Sequence, residues 1–183
     1  MPTLKRTLTS TLQLIVSVTI AQMAGFLGSM ATRPNIDTWY RALEKPGFTP
    51  PDLVFPIVWP LLYLLMGVAS WLVFRTSDQA SPGFWRGGTS YESMFLRSKP
   101  SRGSALTVYA AQLILNTLWS FLFFHWKLIG LAALEILVLL GLVLLSARLF
   151  YRIRPAAGLL MVPYILWLVY AAALNGAIWW LNM

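Results

Sequence analysis

Five apolar stretches of about twenty residues each dominate this chain of 183 residues, and only polar segments separate them. An α-helix rises about 1.5 Å per residue, so roughly twenty residues cross the ~30 Å hydrocarbon core of a bilayer. Lipid offers no hydrogen-bond partner to an open backbone group, and these stretches are apolar on every side rather than at alternate positions. We therefore predict an all-α membrane protein, a single domain folded as a bundle of five transmembrane helices.

Composition supports this class and excludes others. The predicted spans cover about 11–30, 53–74, 104–124, 128–147 and 156–181. Hydrophobic residues make up 58% of the chain and charged residues 11%, against about 45–50% and 25% in soluble domains. The net charge of +8 does not indicate nucleic acid, because no basic cluster accompanies a soluble binding surface. With no cysteine and only His125, a metal site is not expected.

The basic residues of the links predict the orientation in the membrane. Ten Lys and Arg residues lie on the side that holds the N-terminus, against four on the other side. Positive charge accumulates on the cytoplasmic side of membrane proteins. We therefore expect a cytoplasmic N-terminus, a cytoplasmic loop over residues 75–103 and, after five spans, a C-terminus outside.

Three tryptophans, Trp59, Trp119 and Trp167, lie deep inside predicted spans. An indole N–H in hydrocarbon needs an acceptor, so we expect these rings to face the interior of the bundle or a cavity. Pro56 and Pro60 flank the first of these rings and remove backbone donors there. This end of the second span is therefore predicted to border a cavity.

Small and amide residues share helix faces with these rings. Trp167, Ala171 and Asn175 recur every four residues, and Asn116 lies three before Trp119. A pocket lined by aromatic rings and a few amides suits a flat, conjugated, largely apolar ligand. The same spacing is typical of tight helix packing with Asn hydrogen-bonded between helices. The spacing alone leaves both interpretations open.

Glu135 is the one acidic or basic side chain within the predicted spans. An ionisable group at that depth often marks a functional site. A proton relay usually needs further acids or histidines in the membrane, and the spans contain none. The sequence therefore favours a structural carboxyl with a hydrogen-bond partner over a relay.

Motifs in the first long link and in three spans point to a known family. They read WYRALEKPGFTPP at 39–51, Trp59 with Tyr63 and MG at 66–67, QLILNTLWS at 112–120 with FF at 123–124, and PYILW at 163–167 with LN at 174–175. In this combination the chain resembles the TspO/MBR family, the tryptophan-rich sensory proteins that include the mitochondrial translocator protein. The resemblance implies a five-helix bundle in the lipid bilayer, often a homodimer. It also implies a porphyrin, haem or related tetrapyrrole as ligand, with no obligatory cofactor.

The resemblance also implies which residues line the pocket, which lies between helices beneath the first loop. Carried over by motif, they are Tyr40, Pro50, Trp59, Tyr63, Asn116, Trp119, Trp167 and Ala171. Trp59 and Trp167 are expected to sandwich or flank the macrocycle, and Asn116 to hydrogen-bond a polar edge. Arg41 or Lys45 at the rim is a candidate contact for a propionate, on charge and position alone. No catalytic residue is predicted.

The function implied is tetrapyrrole binding in porphyrin sensing, trafficking or disposal. Gly176 and Trp180 replace the Tyr and the basic residue that end the sterol motif of animal members, so sterol binding is not expected. Two alternatives stay open. One is light- and oxygen-dependent degradation of porphyrin at the same tryptophans, and the other is secondary transport, for which no inverted repeat is evident.

Overall fold

The computed structural model describes residues 2–76 and 100–183, and this part of the chain is helical without a strand. The helices are α1 (Pro2–Asn35), α2 (Val54–Phe74), α3 (Arg102–Ser120), α4 (Ile129–Ile153), α5 (Pro155–Leu159) and α6 (Val162–Leu181). Within the described residues, five helical segments are long and apolar enough to cross a membrane. The predicted fold class is confirmed. Most of the predicted loop 75–103, from residue 77 to residue 99, lies outside the described residues.

The first transmembrane segment extends beyond the predicted 11–30 and runs as Thr7–Tyr40. Pro34 lies inside it and lacks a backbone N–H. The helix nevertheless continues: Asn35 Nδ2 donates to the carbonyl of Ala31 at 3.1 Å, and a π-helical turn follows over Ile36–Tyr40. At about 1.5 Å per residue, a segment of 34 residues is roughly 51 Å long and exceeds the hydrocarbon core. The segment is therefore longer than the apolar layer that it crosses.

The predicted span 156–181 consists of two helices, α5 and α6. Pro163 lies in the first turn of α6, where a missing N–H costs no helical hydrogen bond. The short α5 packs closely on the end of α4, since a Cβ at Gly158 would lie 2.5 Å from Cβ of Tyr151. A glycine is needed at this close contact between α5 and α4, and the chain then continues as α6.

In the bundle, α1 packs along α2 and α3, while α4 packs against α3 and α6. Two glycines of α1 make the first of these contacts possible. A Cβ at Gly25 would overlap the ring of Tyr63 on α2, and a Cβ at Gly28 would lie 2.9 Å from Oγ of Ser120. The small residues of α1 thus serve packing within the chain.

Candidate ligand-binding site

A cavity of about 640 Å³ opens between α1, α2, α3 and α6 at the end of the bundle that carries the first loop. This volume is within the range of roughly 300–1,000 Å³ that holds drug-sized ligands. Its lining comprises Gln22, Gly25, Phe26, Gly28, Ser29, Thr32, Arg33, Ile36 and Tyr40 from the first segment; Asp52, Phe55, Pro56, Trp59, Pro60 and Tyr63 from α2 and the residues before it; Trp119, Ser120, Phe123 and Phe124 from α3 and its extension; and Trp167, Ala171, Leu174, Asn175 and Ile178 from α6.

Trp59 and Trp167 form one corner of the cavity. Their ring centroids are 6.3 Å apart and their planes are inclined by 85°, an edge-to-face contact. Trp59 is also stacked on Tyr63, with centroids 5.6 Å apart and planes 27° apart. Two perpendicular indoles in contact leave no slot between them, so this geometry does not accommodate a macrocycle sandwiched by the pair. The geometry fits the other expected arrangement, in which both rings flank one side of a ligand.

Proline shapes the same part of α2. Pro60 lies within the helix and has no N–H to donate to the carbonyl of Pro56. Pro56 and Pro60 both line the cavity, where the sequence predicted one. Gln22 of α1 donates from Nε2 to the carbonyl of Pro60 at 3.0 Å and so holds α1 against this part of the helix.

Trp119 lines the cavity from α3, and its indole N–H has a hydrogen-bond acceptor. Its ring stacks on Phe123, with centroids 5.2 Å apart and planes 24° apart. Its Nε1 donates to Oδ1 of Asn175 at 3.0 Å, and Nδ2 of Asn175 donates to the carbonyl of Ile129 at 3.1 Å. Asn175 therefore joins α3, α4 and α6 at the cavity. The sequence placed Asn175 on the face of Trp167 but did not include it among the predicted ligand contacts.

Trp167 differs from Trp119 in its hydrogen bonding. Its Nε1 is buried and has no hydrogen-bond partner among the described residues. Its ring is held by the edge-to-face contact with Phe55, at 5.9 Å between centroids, and by Tyr170 at 5.6 Å. The expectation that every deep indole finds an acceptor is therefore not met here. The ring borders the cavity with one donor unused.

Asn116 does not line the cavity and lies buried behind it. Its Oδ1 accepts a hydrogen bond from the hydroxyl of Tyr63, and its Nδ2 donates to the hydroxyl of Tyr164 at 2.8 Å. Both ends of the amide thus bind tyrosines of neighbouring helices, as in the packing interpretation. Pro50 is likewise absent from the lining. The other predicted residues all line the cavity: Tyr40, Trp59, Tyr63, Trp119, Trp167 and Ala171.

The two basic residues predicted at the rim have other contacts. Arg41 forms a salt bridge with Asp37 at 2.7 Å. Lys45 Nζ donates to the carbonyls of Arg41 and Leu43 at 3.3 and 3.2 Å and lies 4.7 Å from the ring centre of Tyr40. Neither lines the cavity, whereas Arg33 and Asp52 do. Neither was among the predicted site residues: Arg33 was counted only among the four basic residues of the outer side, and Asp52 was given no role.

The loop after the first segment is fixed to α6. Asn182 accepts from the backbone N–H of Glu44 at 3.1 Å and donates back to its carbonyl at 2.9 Å. The hydroxyl of Tyr170 donates to the carbonyl of Phe48 at 2.7 Å. These contacts hold the loop over the end of α6 next to the cavity.

Glu135 lies on α4 and is not part of the cavity lining. Both carboxylate oxygens are buried, and neither has a hydrogen-bond partner among the described residues. The structure thus shows no partner for the structural carboxyl that the sequence favoured.

Comparison with known proteins shows similarity to one family. The family model described as the TspO/MBR family matches residues 17–181. The chain is 34% identical to the tryptophan-rich protein TspO of Archaeoglobus fulgidus, over 93% of this chain and 97% of that protein. It is 31% identical to the translocator protein of Bos taurus over 87% and 84%, and 34% identical to the tryptophan-rich sensory protein of Cereibacter sphaeroides over 76% and 73%. The chain belongs to the TspO/MBR family.

The motifs that carried the resemblance meet at the cavity. Tyr40 comes from the TspO/MBR motif of the first link, and Trp59 and Tyr63 come from that of the second span. Trp119 and Trp167 come from those of the third and fifth spans. TspO/MBR sequence motifs that are far apart in the chain thus surround one space in the fold.

Proposed function

We propose that this integral membrane protein binds a tetrapyrrole, porphyrin or haem, and acts in porphyrin sensing, trafficking or disposal. The observation that carries the proposal is the aromatic cavity, in which Trp59, Trp119 and Trp167 border one space large enough for a substantial ligand. Membership of a family with tryptophan-rich sensory and translocator proteins supports it. The charge count of the links supports a cytoplasmic N-terminus and an outer C-terminus.

The chemistry of the cavity favours a flat conjugated ligand. Offset or edge-to-face contacts between aromatic systems contribute about 0.5–1.5 kcal/mol per pair beyond the burial of area. Ala171 exposes a small side chain between Trp167 and Asn175 on the same face of α6, which leaves room for a ring edge.

The proposal is tested by titrating protoporphyrin into the purified protein in detergent. Binding is read from the shift of the porphyrin absorption band, so that removal of tryptophans does not alter the signal. We expect the double variant Trp59→Phe, Trp167→Phe to bind roughly five- to tenfold more weakly, because the smaller phenyl rings make smaller contacts with the ligand. The matched control is Trp180→Phe, since Trp180 is 74% exposed and outside the cavity. Unchanged affinity and stoichiometry in the double variant would contradict the proposal.

A second candidate is light- and oxygen-dependent porphyrin degradation at the same place. The contacts of Trp59 with Trp167 and with Tyr63 favour it, because they form a continuous group of oxidisable rings at the cavity. Dioxygen would be the oxidant and the bound porphyrin the reductant. Illumination in air should then bleach the absorption band of bound porphyrin, and illumination under argon should not. At saturating porphyrin the double Phe variant should bleach no faster than free porphyrin, and bleaching at the wild-type rate would exclude a role for the tryptophans.

A further inference from the structure

We infer that the cavity selects an anionic ligand, with Arg33 as the partner of a ligand carboxylate and Asp52 as the opposing charge that orients it. This inference rests on the proposed function and adds the charge of the ligand and the residue that recognises it. The two residues stand out because Arg33 and Asp52 are the only charged side chains among the described residues that line the cavity.

Arg33 differs from the other basic residues at this end of the bundle in its contacts. Arg41 is paired with Asp37, Lys45 lies over the ring of Tyr40, and Lys127 Nζ lies 5.9 Å from the ring centre of Trp39. Arg33 forms no salt bridge with any described residue, including Asp52, which also lines the cavity. Its guanidinium group is therefore the one cation at the cavity not already engaged with another side chain of the described chain.

The position of Arg33 along α1 suits a flat ligand that has an apolar ring system at one end and a charged group at the other. Arg33 lies two turns after Gly25 and Phe26, which line the deeper part of the cavity, and two turns before Tyr40 at the loop end. The aromatic corner of Trp59 and Trp167 offers contact to an apolar ring system. A ligand with its rings at this corner can thus extend a carboxylate toward the loop end, where Arg33 lies.

The opposite charges of Arg33 and Asp52 determine how a ligand with a carboxylate is oriented in the cavity. A guanidinium group binds a carboxylate through two parallel N–H···O bonds, the strongest type of hydrogen bond between side-chain groups. Asp52, which belongs to the segment before α2, repels a carboxylate on that side. A carboxylate is therefore directed toward α1. A neutral ligand of the same shape lacks the charge-assisted contact with Arg33 and is not repelled by Asp52.

The test compares protoporphyrin, which carries two carboxylates, with its dimethyl ester, which carries none. Both are titrated into the full-length protein in nanodiscs of phosphatidylcholine, which has no net charge. We expect the wild type to bind the acid roughly five- to tenfold more tightly than the ester, since the charge-assisted contact lies at an exposed rim. Arg33→Gln should remove this preference by lowering the affinity for the acid toward that for the ester. Asp52→Asn should raise the affinity for the acid alone.

The controls separate this inference from its alternatives. Arg41→Gln removes an equal charge at the same end but outside the cavity, and it should retain the preference for the acid. The preference should shrink as salt is raised, because the contact is electrostatic. Equal affinity of the wild type for acid and ester would overturn the inference while the proposed function stood. An Arg33→Gln variant that weakens both forms equally would also overturn it, and the absence of saturable binding of either form would overturn both.

Discussion

The indoles of Trp59 and Trp167 meet edge to face, with ring centroids 6.3 Å apart and planes at 85°. This contact joins α2 to α6 at the corner of the cavity. Because Trp59 also gives one face to Tyr63, a ligand has only the remaining ring surface of the pair. The pair therefore forms one side of the cavity, and the deep indoles of Trp119 and Trp167 differ in their hydrogen bonding.

We predict that Trp167→Phe and Trp119→Phe affect stability differently, although both remove an indole. Trp119→Phe deletes a 3.0 Å hydrogen bond and leaves Oδ1 of the buried Asn175 without its donor. Trp167→Phe deletes a buried N–H that has no partner among the described residues. An unsatisfied buried polar group costs about 1–3 kcal/mol, so Trp119→Phe should be less stable than Trp167→Phe by about that amount. Unfolding by sodium dodecyl sulfate in mixed micelles measures the difference, and equal stabilities would contradict it.

We predict that Gly25→Ala disturbs both the fold and the site. The added Cβ would overlap the ring of Tyr63, which is buried, hydrogen-bonded to Asn116 and stacked on Trp59. Overpacking of this kind costs about 1–3 kcal/mol, and displacement of Tyr63 should also weaken porphyrin binding. The control is Gly141→Ala on α4, where no atom lies within 4 Å of the new Cβ. Gly141→Ala should be neutral or slightly stabilising, because Ala is the better helix former.

The orientation is testable with single cysteines, because the chain contains none. We predict that Thr3→Cys reacts with a membrane-impermeant maleimide only after cells are permeabilised. Gly47→Cys and Met183→Cys should react in intact cells. Position 47 is well suited to a cysteine, because no atom other than those of its chain neighbours lies within 4 Å of a Cβ there. The loop that contains it is hydrogen-bonded to Asn182 near the C-terminus, so positions 47 and 183 are expected on the same side. Labelling of Thr3→Cys in intact cells would contradict the predicted orientation.

The sequence predicted the fold class because it depends on local properties, whereas the predicted cavity lining came from the resemblance to the TspO/MBR family. The length and apolar character of each span define transmembrane helices without reference to tertiary contacts. The depth of Trp59 and Trp167, together with their small or proline neighbours, indicated an internal space. The helix faces followed from the four-residue spacing alone.

The roles of the two asparagines could not be separated from the sequence. Asn116 and Asn175 both lie in apolar helices close to a tryptophan. Only the tertiary arrangement gives Asn116 the hydroxyls of Tyr63 and Tyr164 as partners and gives Asn175 the indole of Trp119 at the cavity. The facing helices decide which partners each amide has and whether it borders the cavity, and the spacing within one helix does not reveal this.

Arg33 was missed for a different physical reason. The apolar stretch ends near residue 30 and Pro34 follows, a pattern that is typical of a helix terminus. The helix instead continues to Tyr40, with the side chain of Asn35 bonded to Ala31 O. This continuation is what holds Arg33 on a helix that borders the cavity rather than in a free link.

The most direct test of the account is to fill the cavity and measure porphyrin affinity. Ala171→Phe places a ring in the space between Trp167 and Asn175, whereas Ala173→Phe, two residues along, adds the same ring on an exposed face of α6. We predict that Ala171→Phe abolishes saturable protoporphyrin binding in a protein with unchanged helix content, while Ala173→Phe binds as the wild type does. Wild-type affinity in Ala171→Phe would contradict the assignment of the cavity as the ligand site.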